Sequence, residues 1–367
     1  MGLSTSPHWN APLLRAQLLD WYQANQRDLP WRRNKDPYSV WVSEIMLQQT
    51  RVAVVLDRHR QFLQRFPTIT ALAAAPEQEV LALWSGLGYY RRARMLHKAA
   101  QVVDQNLGGS LPTRPEELRN LPGIGAYTAA AIASIAHNEP FAVVDGNVER
   151  VLCRLAGWDA TSRSSPAALR RNIDVLASQL LDPRHPGDFN QAMMELGATV
   201  CLPRNPQCLV CPIAAHCATR GEHKTAPRAP MLTREIAYAL SLRDRNSFRD
   251  ILLEQRPATV SVMPSMWELP ALRDASIPDQ HLRMQVRHAI MQVNYSVRIR
   301  TVDEDEVPTL TVAAAGDRRW VPLDTVSALP LTGLARKVLT RAHLFALPSQ
   351  PGRKPVESAQ QHPTARL

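Results

Sequence analysis

Cysteine is scarce in this sequence of 367 residues: it has five, and four of them lie between positions 201 and 217. Disulfide-stabilised secreted proteins spread an even number of cysteines along the chain, so this distribution excludes that class. Long apolar runs are also missing, since none reaches the roughly 18 residues that a membrane-spanning helix requires. Residues 1–10 lack the basic start and apolar stretch of a secretion signal. These absences predict a cytoplasmic protein without a membrane partner.

Acidic residues are in the minority. Lys and Arg number 43 against 33 Asp and Glu, which gives a formal charge of +10 and an isoelectric point near 9.8. An excess of positive charge favours a polyanionic partner such as nucleic acid. The rest of the composition, 45% hydrophobic and 21% charged residues, is that of an ordinary globular protein, and the length suits two domains.

The spacing of the apolar residues divides the chain into four segments. From 11 to 218 apolar positions recur every three or four residues, which predicts an all-α domain. The polar, proline-containing segment 219–232 is typical of a linker, and 346–367 of a disordered tail. Between them, 233–345 is predicted to be an α+β domain. Its predicted strands are 236–242, 251–253, 293–299 and 310–313, and its predicted helix is 279–287.

Four cysteines follow the spacing C-x6-C-x2-C-x5-C: Cys201, Cys208, Cys211 and Cys217. Thiolates this close along the chain can converge on one iron-sulfur cluster. Zinc also accepts four thiolates, but its motifs commonly use two short C-x2-4-C pairs, and here only one occurs. An iron-sulfur cluster is therefore favoured, with structural zinc as the alternative. The fifth cysteine, Cys153, lies in a helical stretch and is predicted to be a packed core thiol.

Two glycines separated by one residue, Gly123 and Gly125, precede the helix-forming run 126–136. Such a pair permits a tight turn whose backbone amides, beside a helix N-terminus, can face a phosphate. Taken alone, a G-x-G before a helix is more often an ordinary turn. Downstream, the apolar strip 141–144 ends in Asp145. This aspartate can cap the next helix, serve as an ionised carboxylate in a site, or do both.

Together, the cysteine spacing and the hairpin followed by an aspartate resemble the endonuclease III and MutY superfamily of helix-hairpin-helix DNA glycosylases, over roughly 11–217. The resemblance implies that the four cysteines ligate a 4Fe-4S cluster and that Gly123 and Gly125 contact the backbone of double-stranded DNA. It also implies that Asp145 is catalytic. Its carboxylate would stabilise the oxocarbenium-like sugar that forms as the glycosidic bond breaks, or bond to it transiently.

Two further positions indicate which chemistry the resemblance implies. Bifunctional members carry a lysine two residues after the second glycine, where this sequence has Tyr127. A phenol cannot form the Schiff base that leads to strand cleavage, so a monofunctional glycosylase is expected.

The predicted helix at 41–50 is similar to the stretch in which adenine glycosylases place an acid, and that acid falls on Glu44. A carboxylic acid with a raised pKa can protonate the leaving adenine, whereas a lone glutamate would more often lie on a solvated helix face.

The same resemblance assigns residues around this acid. Gln48 follows Glu44 by four positions and should share its helix face, with Gln49 beside it and inserted into the DNA at the lesion. Gln191 stands where some relatives have an acid. The residues expected to line the adenine pocket are Trp31, Arg32, Asn147 and Gln191, and Asn147 is counted among the catalytic residues as well.

A segment with two tyrosines and three arginines is expected to contact the DNA. Tyr89 is the predicted wedge between bases, and Arg91, Arg92 and Arg94 beside it suit phosphate contact. Buried tyrosines next to a solvated basic face are the alternative. Arg204, in the loop between the first two clustered cysteines, is a further predicted DNA contact.

Residues 233–345 resemble the Nudix-like domain with which adenine glycosylases recognise 8-oxoguanine opposite the adenine. The carboxylate-rich run of a Nudix hydrolase is missing, which indicates a reader and not a second enzyme. Better-known members have Phe-Ser-His where this sequence has Ile-Met-Gln at 290–292, and Gln292 or Asn294 could supply the hydrogen bonds instead. The anchors of the resemblance are 251–257, 266–270, Arg287 and His288.

The function implied is the removal of adenine mispaired with 8-oxoguanine or guanine, by a monomer that leaves an abasic site. Two alternatives stay open. One is a glycosylase for another mismatch, such as thymine opposite guanine, which Glu44 and the reader domain disfavour. The other is a catalytically silent protein that grips damaged DNA, which the presence of both Glu44 and Asp145 disfavours.

Overall fold

The computed structural model describes residues 9–158, 165–223, 230–245, 248–290 and 292–344. The chain divides into two compact units that separate between Met231 and Leu232. The predicted tail at 346–367 and the middle of the predicted linker lie outside the described residues. Among the helices of the described part, none has both the length and the apolar character needed to cross a membrane.

The first unit is built of helices, as the apolar spacing predicts. Two single turns of 3-10 helix follow them, at Cys208–Val210 and Ala214–His216. The helices are α1 (Ala11–Asn25), α2 (Pro30–Arg33), α3 (Pro37–Leu47), α4 (Val52–Arg65), α5 (Ile69–Ala73), α6 (Glu77–Trp84), α7 (Arg91–Leu107), α8 (Pro115–Leu118), α9 (Ala126–His137), α10 (Gly146–Ala156), α11 (Pro166–Leu180) and α12 (Pro186–Thr199).

Helix α3 shows how the local sequence sets an element that matters for the site. Asp36 caps it by accepting a hydrogen bond from the Ser39 amide at 2.8 Å, and Pro37 occupies the first helical position, where no amide donor is needed. Almost the whole helix is buried, including Trp41, which has no exposed surface. A helix that is buried on most of its faces is held in place by packing, and the face of α3 that carries Glu44 borders a cavity.

The order of packing places α9 between α3 and α12, while α12 also packs on α1 and α10. One core cluster joins α1, α10, α11 and α12, and Cys201, Cys211 and Cys217 pack against it from the loop that follows α12. Helix α9 therefore contacts both α3 and α12, and α10 contacts α12. This arrangement brings residues that are about a hundred positions apart in sequence to one place.

The second unit is an α+β region. Its elements are β1 (Leu232–Leu240), β2 (Leu242–Arg245), β3 (Phe248–Gln255), β4 (Trp267–Glu268), β5 (Leu282–Ile290), β6 (Val293–Thr301), α13 (Val307–Leu310), β7 (Arg318–Pro322) and α14 (Gly333–Arg341). One sheet has the order β1-β6-β5, with β1 parallel and β5 antiparallel to β6. In the other sheet, β3 pairs with β2, β4 and β7, all antiparallel. Helix α14 and the strands enclose the core of this unit.

Two predictions for this unit are wrong. The predicted helix at 279–287 is a 3-10 turn followed by β5, because Met284 and Val286 alternate with exposed Gln285 and Arg287, which is the period of a strand. The predicted strand at 310–313 is the end of α13 and an isolated bridge, because Pro at the second position of α13 suits a short helix.

Candidate active site

A cavity of about 790 Å³ opens among α2, α3, α12 and the loops before α9 and α10. Its size lies in the range that is typical of small-molecule and cofactor sites. Most of the residues predicted from the sequence line it, although they come from five separate segments. Those residues are Trp31, Arg32, Glu44, Gln48, Gln49, Gly123, Gly125, Tyr127, Asp145, Asn147 and Gln191.

Glu44 is a buried acid, with 5% of its surface exposed, so the alternative of a solvated helix face does not hold. Burial raises its pKa to about 7, because the anion would lose its hydration. The hydrogen bond from Tyr127 and the charge of Arg32 lower this pKa, while the charge of Asp145 raises it further. Near neutral pH, Glu44 is therefore poised between the proton-carrying acid and the anion.

Tyr127 donates a hydrogen bond from its hydroxyl to Oε2 of Glu44 at 2.8 Å. Its own pKa is raised well above the ordinary value, first by burial, so the phenol keeps its proton and remains a donor. The hydroxyl also lies 3.6 Å from the sulfur of Met194. From the sequence, Tyr127 indicates only that a lysine is missing at this position. The structure adds that its phenol is in direct contact with Glu44.

Asp145 both caps a helix and faces the cavity. Its Oδ1 accepts a hydrogen bond from the Val148 amide at 2.7 Å, which caps α10, and its Oδ2 accepts one from Nδ2 of Asn147 at 2.9 Å. The positive end of the α10 dipole lies beside the carboxylate. The two bonds fix both oxygens, so the carboxylate is held in one orientation.

Arg150 ties this carboxylate to the cysteine loop. Its Nη2 donates to Oδ1 of Asn147 at 3.0 Å and to the Gly197 carbonyl at 2.7 Å, and its Nε donates to the Cys201 carbonyl at 2.9 Å. A side chain at Gly197 would collide with Asn147 at 2.6 Å, so only glycine lets α12 approach this closely. The amide of Asn147 is therefore oriented by two independent contacts.

A buried ion network on the other wall of the cavity was missed in the sequence. Glu195 has no exposed side-chain surface and accepts hydrogen bonds from Arg27 at 2.7 and 2.8 Å and from Arg32 at 2.9 Å. The guanidinium of Arg32 also lies over the ring of Tyr22. Arg32 is thus held rigidly beside Glu44. The sequence does hold one indication that Glu195 belongs to the site: it stands four positions after Gln191 on α12 and so lies on the same helix face.

The two glutamines do not follow the predicted helix. Helix α3 ends at Leu47, and Gln49 has a left-handed backbone with φ of 56°. Gln48 and Gln49 therefore do not share a helical face with Glu44, contrary to the prediction. The chain turns after Leu47, and this turn brings both glutamines to the cavity. A left-handed non-glycine residue costs of the order of 1–3 kcal/mol, so surrounding contacts must hold it.

The aromatic-arginine segment is divided between surface and interior. Tyr89 is 53% exposed, and Arg91 is exposed at the start of α7. Arg94 is paired with Glu77 at 2.9 Å, and Arg92 points inward, so neither is placed as the predicted phosphate contact. A second cavity of about 420 Å³ is lined by both Tyr89 and Gln49.

The hairpin glycines have different structural demands. Gly123 has a φ of +77°, and a Cβ there would lie 2.5 Å from the Cβ of Met95, whereas Gly125 has an ordinary φ of −89° and open space around it.

We expect Gly123→Ala to lower the free energy of unfolding by about 1–3 kcal/mol, because it adds both strain and a clash. Gly125→Ala is the matched control and should change it little; chemical denaturation measures both. Equal losses would contradict this account.

The four clustered thiols line one small cavity together with Arg154. Arg154 is 3% exposed, donates to the Sγ of Cys201 at 3.3 Å and to the carbonyls of Leu202 and Pro203, and its Nε has no partner in the described part of the chain. No carboxylate pairs with it there either. A buried cation of this kind suits an anionic group bounded by thiolates.

Three further observations concern the cysteines and the loop that carries Arg204. Among the described residues, no three His, Cys, Asp or Glu side chains stand close enough to enclose a single metal ion. Arg204 is exposed on the loop, outside both cavities. Cys153 does not line the thiol cavity; it is half-buried and packs against the core cluster, and burial raises its pKa to about 11.

In the second unit, Asn294 lines a cavity of about 720 Å³ on the β1-β6-β5 sheet, with Arg287 and His288. Gln292 lies in the turn between β5 and β6, where its carbonyl accepts a hydrogen bond from the Leu232 amide. Residue 291, the centre of the Ile-Met-Gln sequence, lies outside the described residues.

Comparison with known proteins gives consistent results. A profile of HhH-GPD superfamily base excision DNA repair proteins matches residues 42–177. Adenine DNA glycosylase of Rattus norvegicus is 50% identical over 212 residues, which are 55% of this chain and 41% of the rat protein. Adenine DNA glycosylase of Buchnera aphidicola subsp. Acyrthosiphon pisum is 36% identical over 238 residues, which are 63% of this chain and 67% of that protein.

The chain spans about two fifths of the length of the rat, human and mouse relatives. Among solved structures, a thermostable thymine-DNA glycosylase is similar with a TM-score of 0.52 and 27% identity, over 57% of this chain and 96% of that one. The residues matched by the family profile lie in the helical unit that contains the 790 Å³ cavity.

Proposed function

The chain belongs to the HhH-GPD superfamily of base excision DNA repair proteins, in its MutY-type branch, and we propose that it excises adenine mispaired with 8-oxoguanine or guanine in double-stranded DNA. The observation that carries the proposal is the pairing of a buried acid, Glu44, with a fixed carboxylate, Asp145, in one cavity. The glycosidic bond is out of reach inside a duplex, so the adenine must first leave the base stack and enter this cavity.

The two carboxyl groups have opposite tasks in this mechanism. Glu44 gives its proton to a ring nitrogen of the adenine, and the electron pair of the glycosidic bond leaves with the base. The sugar becomes an oxocarbenium-like cation, which the Asp145 carboxylate stabilises. Water then adds to the sugar carbon and releases a proton to the solvent, from which the Glu44 carboxylate is protonated again, and an abasic site remains. Asn147 keeps the Asp145 carboxylate oriented toward the cation.

Tyr127 supports a monofunctional reaction. A glycosylase that also cuts the strand needs an amine to form a Schiff base with the sugar, and a phenol cannot do so. In our proposal the Tyr127 hydroxyl binds one oxygen of Glu44, so the other oxygen carries the proton that goes to the base. Trp31, Arg32 and Gln191 form the walls of the adenine pocket.

The hydrogen bond from Tyr127 gives a prediction about pH. Glu44 can donate only while protonated, so the single-turnover rate should fall as the pH rises through its pKa of about 7. The bond lowers that pKa, and Tyr127→Phe removes it, so the midpoint of the fall should move to higher pH. Tyr38→Phe, a buried tyrosine bonded to the Phe66 carbonyl, is the control and should keep the parent midpoint. A shift to lower pH would contradict the assignment.

We further propose that the four clustered thiolates hold a 4Fe-4S cluster. Their common cavity and the buried, carboxylate-free Arg154 support an anionic group there. When bound, the cluster would supply a cross-link that fixes the loop carrying Arg204. We expect about four irons per chain and a broad absorption at the violet edge of the visible range. One zinc per chain with no such absorption would contradict this part of the proposal.

The DNA-facing surface would combine several elements of the first unit. The backbone at Gly123 and Gly125 would contact phosphates, and the basic charge of the chain would add sequence-independent affinity. We propose that residues 233–345 form a Nudix-like domain that reads 8-oxoguanine, with Asn294 or Gln292 supplying hydrogen bonds. The other proposed DNA contacts are Gln48, Gln49, Tyr89, Arg91 and Arg204.

A panel of mismatched duplexes tests the substrate. We expect the protein to release adenine opposite 8-oxoguanine and guanine and to leave thymine opposite guanine intact, measured as free base under single-turnover conditions. The thymine substrate is included because a thymine-DNA glycosylase has a similar structure. Preferential thymine release would overturn the assignment, and tight binding with no release of any base would favour a silent binding protein.

A further inference from the structure

Two residues with strained backbones lie on separate loops that line the same cavity. Gln49 has a φ of 56° and Tyr89 a φ of 48°, and both border the cavity beside the hairpin. Left-handed conformations are rare for residues with side chains, and they persist only where the surroundings hold them. The structure therefore has to contain contacts that keep both loops in place before any DNA binds.

The first loop is held by Arg92. Its Nη1 donates hydrogen bonds to the carbonyls of Ile45 at 2.8 Å and Met46 at 3.1 Å, in the last turn of α3, and to the carbonyl of Gln48. Its Nη2 also donates to Oγ1 of Thr50 at 3.2 Å. The final carbonyls of a helix have no partner within the helix, so this guanidinium caps α3 and brackets Gln49 from both sides.

The second loop is held by the same guanidinium. Nη2 of Arg92 donates to the carbonyls of Leu87 at 3.0 Å and Gly88 at 3.2 Å, the two residues before Tyr89. The guanidinium also lies 5.5 Å from the ring centres of both Tyr89 and Trp84. One side chain thus bridges the backbones of two loops that are about forty residues apart in sequence.

This role suits arginine and no other residue. Arg92 forms no ion pair with a carboxylate in the described part of the chain, so carbonyl oxygens and two aromatic rings are its partners. A planar fork with several fixed donors can reach acceptors on two sides at once, whereas a lysine has a single point of charge. A lysine at 92 would keep the charge but lose one set of contacts.

We propose that Arg92 is a positioning residue that holds the Gln49 loop and the Tyr89 loop as one rigid unit, so that the glutamine and the tyrosine enter a mismatched duplex together. This inference rests on the proposed function, because it assumes that both side chains probe DNA. It differs from direct phosphate contact, since Arg92 acts through two other residues. Its consequence is that either loop should loosen when the other loses its anchor.

Hydrogen exchange of the free protein tests the anchor without any DNA. In Arg92→Lys, the amides at 47–50 and at 87–90 should both exchange faster than in the parent, with the rest of the first unit unchanged. The control is Arg58→Lys, a half-buried arginine of α4 that bonds to Gln61 and lies near Gly86 and Tyr90 of the second loop, so it serves as a control for the first loop. It should leave 47–50 at the parent rate. Faster exchange in only one loop, or in neither, would overturn the proposal.

A double-mutant cycle tests the link to recognition. Arg92→Lys should lower the preference for a mismatched over a matched duplex about tenfold in the parent, but by less than about threefold when Tyr89→Ala is already present. Equal losses in both backgrounds would show that Arg92 acts independently of Tyr89 and would overturn the inference. If the parent shows no mismatch preference, the proposed function fails, while the exchange experiment still decides whether the anchor exists.

Discussion

Glu44→Gln is expected to lower the single-turnover rate of adenine release about a thousandfold. Loss of a positioned general acid typically costs between about 10² and 10⁴ in rate, and adenine depends strongly on protonation because it is a poor leaving group. Glutamine keeps the shape of the side chain and can still accept the hydrogen bond from Tyr127. The change therefore removes the proton and little else, and the rate of base release measures that loss.

The matched control for this variant is Glu149→Gln, an acid-to-amide change at a half-buried residue of α10 that pairs with Arg170 and does not line the cavity. It should release adenine at the parent rate. Glu44→Gln should lose no stability in thermal unfolding near pH 7, because folding raises the pKa of Glu44 and so costs the parent stability at that pH, whereas the amide carries no such cost. Full activity in Glu44→Gln would contradict the mechanism, whatever the substrate.

Asp145→Asn is expected to lower the same rate at least about a hundredfold, because the developing positive charge on the sugar loses its counter-charge. Asparagine also caps helices well, so it can still accept the bond from the Val148 amide that begins α10. The effect should therefore appear in the chemical step and not in folding. Rapid-quench measurement at saturating protein separates the step from DNA binding.

Asp36→Asn provides the control for this second prediction. Asp36 caps α3 in the same way, through a bond from the Ser39 amide, but it does not line the cavity. The two variants make the same chemical change at two helix caps. If both lowered the rate equally, the effect of Asp145 would be structural and its proposed catalytic role would be wrong.

Local sequence signals were sufficient for the features that depend on neighbouring residues. Apolar spacing predicted the helical unit, and the cysteine spacing predicted thiols that share one cavity. The G-x-G turn and the aspartate cap also depend on adjacent residues, and both are present at Gly123 and Asp145. The structure gives the position of each site residue, while its role in binding or catalysis stays a prediction.

Contacts across long stretches of chain could not be predicted in this way. The bond between Tyr127 and Glu44 joins residues 83 positions apart, and the bond between Glu195 and Arg27 joins residues 168 apart. Neither the end of α3 at Leu47 nor the inward direction of Arg92 follows from helical periodicity, because both depend on tertiary packing. The wrong helix at 279–287 has a different cause, since its apolar residues fit both periods over a short window.

One measurement tests the central claim most directly: a single-turnover reaction on a duplex with adenine opposite 8-oxoguanine, in which the released base and the DNA strand are both identified. We predict free adenine in equal amount to alkali-labile sites, with the strand intact until alkali is added. Release of another base, or a strand cut without alkali, would contradict the account of a monofunctional adenine glycosylase that uses Glu44 as acid and Asp145 as anion.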